Sequence, residues 1–459
     1  MVERNSDLRN SIYDGIFAHM FATLTGGVFL TGFAIHLGMN EFMIGLLGSM
    51  PFLATIFQLP ASYFVWKNGT RKKVAFFTAL FARIIWIPLL IVAFLPFWDI
   101  TIRSYIILLI IFFSYSFASV SHMVWLSWTS ELVPDGIRGR FFGTRNMLCG
   151  AAGMIVMIIF GQFVDHLKLL SLGTLPVAFV ITFFSATVFG IVSLRFLKKI
   201  SEPMKDIQPY EPANFKMLIS QPLSDSNFKN FLIFAFFWGF SVYFASPFFT
   251  LYFLRELTFN YGFVAVLGVL SAIADLIGMQ LWGTISDKVK NKAVIQFAGW
   301  IAVFLPLAWV TVHPNSIVMP IVLHLVGGFF WAGINLCTNN LLLRISCHEN
   351  KPFYLSVFHI AGGLGASIGP IIAGWFLIKL KDMDFHLFNW NLLPIQIIFI
   401  TSTLLRLISF QIMKSVYEPE ETPTVEIVRI IRSLRGLNVA SGFNTLLHPF
   451  MAFEKMEKG

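Results

Sequence analysis

Long apolar stretches separated by short polar segments set the pattern of this chain. Twelve qualify, at residues 11–38, 42–66, 74–98, 104–131, 141–165, 172–197, 229–254, 262–286, 292–312, 316–343, 353–379 and 390–414. About 20 apolar residues suffice to cross a bilayer as a helix. Backbone in lipid finds no water, so each stretch must pair its own N–H and C=O groups, which a helix does. Membrane β-barrels show shorter segments of alternating polarity, unlike these continuous runs. The pattern predicts an all-α polytopic membrane protein with twelve transmembrane helices.

The longest internal polar interruption, residues 198–228, contains Pro203, Pro209, Pro212 and Pro222 and divides six helices from six. The predicted organisation is a six-helix half at 1–197, a cytoplasmic linker at 198–228, a second six-helix half at 229–416 and a cytoplasmic tail at 417–459. The halves repeat. At an offset of 220, Asn10, Asn40, Gly48, Lys72 and Val74 match Asn230, Asn260, Gly268, Lys292 and Val294. Near an offset of 212, RFFGTRNMLCGAAG (140–153) lies over PFYLSVFHIAGGLG (352–365). In the tail, residues 422–437 put Ile427, Ile430, Ile431, Leu434 and Leu437 on one face, with Arg429, Arg432 and Arg435 elsewhere around the helix. Thr422 followed by Pro423 is a helix start. This segment reads as an amphipathic helix lying on the membrane surface.

Composition narrows the class. Hydrophobic residues make up 56% and charged residues 12%, about half the charge of a soluble domain. The net charge of +9 invites a nucleic-acid partner, but its distribution does not. With the amino terminus placed inside, eighteen Lys and Arg of the inter-helix segments fall inside and five fall outside, namely Arg103, Lys168, Arg255, Lys379 and Lys381. That is the positive-inside pattern, and it places both termini in the cytoplasm. MVERNSDLRN at the start is polar, and the apolar run after it is too long for a cleaved signal. Cys149, Cys337 and Cys347 give no disulfide framework. No G-x-x-x-x-G-K-[ST] phosphate loop or H-E-x-x-H metal motif occurs. The reading is therefore no enzyme, no cofactor, no metal site and no nucleic acid.

One corner is built twice. Residues 281–292 read LWGTISDKVKNK, and 220 positions earlier ASYFVWKNGTRK stands in the same place, with Lys67 where the later copy has Asp287. Gly283, Asp287, Lys288 and Lys292 follow a Gly-x-x-x-Asp-Arg/Lys pattern with trailing basic residues, and PDGIRGRFFG (134–143) joins the fourth and fifth helices. With six plus six helices and a parallel repeat, the chain resembles the major facilitator superfamily over residues 8–416. The resemblance implies that fold, both termini cytoplasmic, and solute binding between the halves. It also implies that Asp287 latches the inner gate against the start of the fifth helix, where a helix N-terminus favours an anion. Lys67 cannot do so for the other half. Pairing Lys67 with Glu131, and Asp287 with Arg344, would compensate as a charge swap inside the corner; a decayed motif with solvated charges is the alternative.

Ionisable groups deep in a membrane are costly and mark function by default. Asp275 lies twelve residues before Asp287, about 18 Å along a helix, where the hydrocarbon half-thickness is about 15 Å. It therefore sits near the midplane, on a stripe with Gly268, Ser271, Gly278 and Trp282. It is the candidate for proton or cation coupling, with a structural hydrogen bond as the alternative. His324, Trp331, Asn335 and Asn339 form one polar stripe, and His122 and Trp125 lie on another. The resemblance puts both on cavity-facing helices and makes these six the solute-path candidates; packing or inter-helix bonding is the alternative for each. Asp14 and Arg145, both near the inner side, are a further gate pair if the first and fifth helices touch. Arg83 and Arg406 are deep, with structural pairing as their expected role. Gly365-x-x-x-Gly369-Pro370 is a close-packing and bending site.

The function expected is secondary active transport of a small organic solute by alternating access, with proton coupling open. Its partners are the solute, the lipid bilayer and a proton or cation gradient, and the chain is expected to act as a monomer. The alternatives are a non-transporting sensor or scaffold with the same fold, or a lipid or amphiphile flippase. Short loops without a signal segment fit a bacterial inner membrane.

Overall fold

The computed structural model describes residues 2–58, 60, 61, 64, 65, 71–94, 99–170, 174–202, 215–346, 351–381, 383–387 and 390–419. Lys67, the middle of the linker and the amphipathic stretch 422–437 lie outside them.

The first six helices are α1 (Val2–Leu24 and Gly27–His36), α2 (Glu41–Leu53), α3 (Arg71–Ile84 and Trp86–Phe94), α4 (Ile100–Leu132), α5 (Arg138–Leu170) and α6 (Leu175–Lys199). After a short linker helix, Phe215–Ser224, come α7 (Ser226–Leu251), α8 (Tyr261–Val289), α9 (Asn291–Val310), α10 (Val318–Ile345), α11 (Lys351–Leu380) and α12 (Pro394–Met413). Among the described residues, eleven are long and apolar enough to cross a membrane. The described part of α2 is shorter, Glu41–Phe57; it includes a 3₁₀ turn at Ala54–Phe57, and residues 58, 60, 61, 64 and 65 beyond it are helical.

Local chemistry explains the breaks. α1 bends at Gly26–Gly27, where Gly27 takes φ +50° and the Thr25 hydroxyl bonds the Phe21 carbonyl at 2.8 Å. Such intrusions into the helical ladder bend it. α3 breaks at Ile85, three residues before Pro88, which has no N–H to offer the Ile84 carbonyl. α7 ends in a π-helical turn, Tyr252–Glu256.

Two segments depart from the hydropathy pattern. The polar start is helical from Val2 rather than from residue 11, because buried Asp7 accepts from the Ser201 backbone N–H (3.1 Å) and hydroxyl beyond α6. Residues 390–392 are not the beginning of α12. They form a strand, β2 (Trp390–Leu392), antiparallel to β1 (Phe385–Leu387) with Phe385 opposite Leu392. α12 begins at Pro394, in the first turn where proline costs no hydrogen bond, and the Gln396 side chain caps the Leu393 N–H at 2.9 Å.

The terminal end of the bundle carries Val2, the linker and Met413; the far end carries His36, Glu41, Glu256 and Tyr261. Buried apolar side chains show how the two sets of six meet. In the far half, one cluster mixes Leu47, Phe179 and Phe183 of the first set with Phe248, Tyr252 and Tyr261 of the second. Toward the terminal end the clusters separate by set, with Val124, Trp128 and Leu194 in one and Phe231, Trp282 and Leu341 in another.

Candidate functional site

The two sets clasp at the far end through small residues and buried polar contacts. Gly374 of α11 lies so close to α2 that an added Cβ would meet the Glu41 carbonyl oxygen at 2.6 Å and the Phe42 Cα at 3.0 Å, and Gly45 of α2 lies against the Pro370 carbonyl. Gly161 of α5 faces Gly262 of α8 in the same way. Missing side chains let these backbones touch. Gly365 and Gly369 are used within the second set, against Phe236 and Phe240 of α7.

Polar groups close the same end. Asp165, in the last turns of α5, accepts from the Tyr261 N–H at 2.8 Å and the Gly262 N–H at 2.6 Å, the first two residues of α8. The first N–H groups of a helix have no partner within it and favour an anion. Asn260 supplies no side-chain cap to α8, whereas Asn40, its repeat mate, caps α2 by accepting from the Met43 N–H at 2.9 Å. One helix start is thus capped from its own set and the other from across the interface. Buried Glu41 adds an ion pair to Arg255 of the π-helical turn, at 2.7 Å. None of Asp165, Glu41 and Arg255 stood out in the sequence as site residues. The repeat of Asn40 and Asn260 was the available signal, because it marks the two helix starts.

The terminal end is apart. Arg138, Gly139 and Arg140 at the start of α5 are exposed, as are Asp287 and Lys288 at the end of α8. An added Cβ at Gly139, Gly143, Gly150 or Gly363 would meet no atom within 4 Å. Asp287 therefore stands free of α5 in this structure. It shares a recess of about 410 Å³ with Asn291, Asn340 and Arg344.

Of the expected corner pairs, Lys67 with Glu131 lies outside the described residues, and Asp287 and Arg344 line the same recess. Glu131 pairs with Arg71 at 2.8 Å, and Arg344 with Glu418 at 3.2 Å. Glu418 is fully buried and also accepts from Lys292 N–H (2.6 Å), Asn291 N–H (3.3 Å) and Asn291 Nδ2 (2.9 Å). Glu202 does the same in the first set, from Arg71 N–H at 2.8 Å and Lys72 N–H at 3.1 Å. Each carboxylate, just beyond α6 or α12, caps the start of α3 or α9. The Glu-Pro pairs 202–203 and 418–419 repeat at an offset of 216, but they lie past the apolar runs that drew attention.

Between the ends lie the buried polar groups. Asp14 does not pair with Arg145. It accepts from the Ser193 hydroxyl, which in turn accepts from Arg83 Nη2 at 3.0 Å, so α1, α6 and α3 share one charge relay. Arg145 instead donates Nε to the Ser11 carbonyl at 3.1 Å and stacks 4.1 Å above the Trp125 ring. His122 is exposed and lies 6.0 Å from that ring. On α10, Trp331 is partly exposed and lies 5.8 Å from Trp238, while Asn335 and Asn339 are exposed one and two turns further toward the terminal end. His324 is elsewhere: it bonds the Pro320 carbonyl of its own helix at 3.0 Å and packs against Trp309 and Phe253 in the closed far half. Asp275 is half-buried in mid-α8 with no hydrogen-bond partner among the described residues, while Gly278 and Trp282 of its stripe pack on α10. Arg406 is buried with Nη1 on the Ala302 carbonyl at 2.7 Å and its guanidinium 5.9 Å from Trp331. Among the described residues, no His, Cys, Asp and Glu cluster is suited to hold a metal ion.

The architecture has solved counterparts. A mutant of the nucleoside transporter NupG superposes with a TM-score of 0.69 at 13% identity, covering 89% of this chain and 100% of that one. The inward-open xylose transporter XylE from E. coli gives 0.62 at 15% identity, with 93% and 99% covered. A bacterial homologue of the iron transporter ferroportin, in an inward-facing state, gives 0.65 at 10% identity, with 91% and 99% covered. At such identities the likeness is one of fold. No curated protein matches the sequence. The family model described as Major Facilitator Superfamily matches residues 15–370 and 231–447. The chain therefore belongs to the Major Facilitator Superfamily and is a membrane transporter, not an enzyme.

Proposed function

We propose that the chain moves a small organic solute across a bacterial inner membrane by alternating access. The halves 1–197 and 229–416 rock about a central site, as a monomer, and the terminal end faces the cytoplasm. One observation carries this reading. The halves share a core and polar clasps at the far end, while toward the terminal end their buried clusters separate and polar side chains of α4, α8 and α10 are exposed. That is one of the two states such a cycle requires, open toward the terminal end.

His122, Trp125, Trp331, Asn335 and Asn339 contribute the solute path from α4 and α10, one helix of each half. Asp275 is the coupling group. Its carboxylate has no hydrogen-bond partner among the described residues, so a proton or cation can bind and leave without breaking such a bond. Asp287 becomes the terminal-end latch when the start of α5 swings back over it.

The test is flux of a broad solute panel in proteoliposomes, with and without a pH gradient. Accumulation driven by the gradient, abolished by Asp275→Asn while downhill exchange persists, is the expected result. Absence of flux for every solute would sink the transport reading. Gradient-driven accumulation that survives Asp275→Asn removes Asp275 from coupling.

A further inference from the structure

The corner where α1, α4 and α5 meet holds more hydrogen-bond donors than its neighbours can use. Trp125 is 6% exposed, and its indole N–H has no acceptor. The buried hydroxyls of Ser11 and Thr129 have no partner either. Thr129 follows Trp125 by one helical turn, and Ser11 is tied to Arg145 through its carbonyl. Arg145 spends only Nε on that bond, and among the described residues its two Nη groups make no hydrogen bond. Buried polar groups are satisfied almost without exception, so several orphaned donors in one place call for an acceptor the chain does not supply.

The charge of the corner points the same way. The groups there are Asp14 and His19 on α1, Arg83 on α3, His122 on α4, and Arg145 and Cys149 on α5. Asp14 is the sole carboxylate among them, and the Ser193 relay commits it to Arg83. Two guanidinium charges against one carboxylate leave the corner with a net positive charge. Stacking on Trp125 eases that only in part, since a cation–π contact supplies no hydrogen-bond acceptor. The guanidinium is also held in place: a Cβ on Gly15 would meet Arg145 Nη2 at 2.5 Å. A fixed fork with two free nitrogens matches an oxyanion in two-pronged geometry. Arg145 itself is only partly buried, so the corner is not sealed from solvent.

We infer that the transported solute carries an oxyanion, a carboxylate or a phosphate, which docks on Arg145 with the Trp125 N–H and the Ser11 and Thr129 hydroxyls as further donors. The inference rests on the transport reading for calling the ligand a solute; the binding site itself does not. No bond is made or broken. The anion exchanges its hydration for the orphaned donors, and the rest of the solute extends toward His122 and the facing stripe of α10.

The full chain, purified in detergent, is titrated with benzoate, phenyl phosphate and neutral benzamide while its thermal unfolding midpoint is followed. A ligand that binds only the folded state raises the midpoint. Benzoate or phenyl phosphate should raise it and benzamide should not, and whichever anion acts tells carboxylate from phosphate. The rise should vanish in Arg145→Gln and persist in Arg138→Gln, a change at an exposed arginine of the same helix. Should Arg145→Gln fail to fold, Arg145→Lys and Trp125→Phe carry the test. Each keeps bulk and loses one feature, the fork or the N–H, and each should weaken anion binding about tenfold. An equal effect of benzamide, no effect of either anion, or an anion effect indifferent to these changes overturns the assignment. Flux in proteoliposomes separates the two readings. Arg145-dependent anion binding without flux of any solute upholds this site and sinks transport, whereas flux of neutral solutes indifferent to Arg145 does the reverse.

Discussion

Removing the charge of Asp165 should open the far end. In the closed clasp each carboxylate oxygen takes one N–H, at 2.8 Å from Tyr261 and 2.6 Å from Gly262. In Asp165→Asn one oxygen remains, and the new NH₂ group faces an N–H. One hydrogen bond to a charged group contributes about 1.5–3 kcal/mol. Asp165 is half-buried, so the low end applies, about 1.5 kcal/mol or roughly tenfold in an equilibrium constant. Because the partners sit in opposite sets, the whole loss bears on the closed far end. Spin labels at Leu169 of α5 and Val318 of α10, both strongly exposed, report that separation by double electron–electron resonance. The far-end-open population should rise about tenfold relative to the closed one. Asn40→Ala is the matched control. It removes a cap within one set, the 2.9 Å contact to Met43, and should cost about 1 kcal/mol of stability in every state without moving the label distances. Unchanged distances in Asp165→Asn, or equal shifts in both variants, would refute the argument that capping across the interface holds this end shut.

Three further outcomes follow from the packing. Gly374→Ala places a methyl group against the Glu41 carbonyl and Phe42; overpacking of about 1–3 kcal/mol should populate the far-end-open state in the same label measurement. Glu418→Gln breaks the buried set that caps α9 and pairs with Arg344, and should lower stability by about 2–3 kcal/mol, read from thermal unfolding in detergent. Arg83→Leu strands the Asp14 carboxylate with only Ser193, at about 3–5 kcal/mol, and adding Asp14→Asn should recover most of the folded yield.

Hydropathy alone located eleven spans and the described part of α2, because helix formation in lipid leaves little choice. It misplaced the beginning of α12, since Trp390–Leu392 is apolar enough for a helix but pairs with Phe385–Leu387 as a strand. It also missed the polar turns before residue 11, which owe their helix to Asp7 and Ser201 at a separation of 194 residues. The corner motif led to the family, and it drew attention to Lys67 and Asp287. The corner pairs among the described residues are Arg71 with Glu131 and Arg344 with Glu418, neither of which the motif pointed to. Pairings such as Asp165 with Tyr261, or Glu41 with Arg255, depend on how two sets of helices lean on each other, and local spacing carries no record of that. Arg145 illustrates the limit well. Its depth was readable, but its stacking on Trp125 and its idle nitrogens are properties of three helices at once.

The carboxylates of Glu202 and Glu418 have a mechanical consequence. Each ties the tail of a set's last helix to the first turn of its third. A helix fastened this way cannot slide or tilt by itself without exposing two amides and a charge. Each set of six is thereby stiffened at the end where the sets part, the place where a looser assembly would fray. Motion is passed to the seam between the sets instead of being absorbed inside them. Two stiff levers on one hinge have few resting positions, so the change of access should be abrupt, with intermediate tilts sparsely occupied.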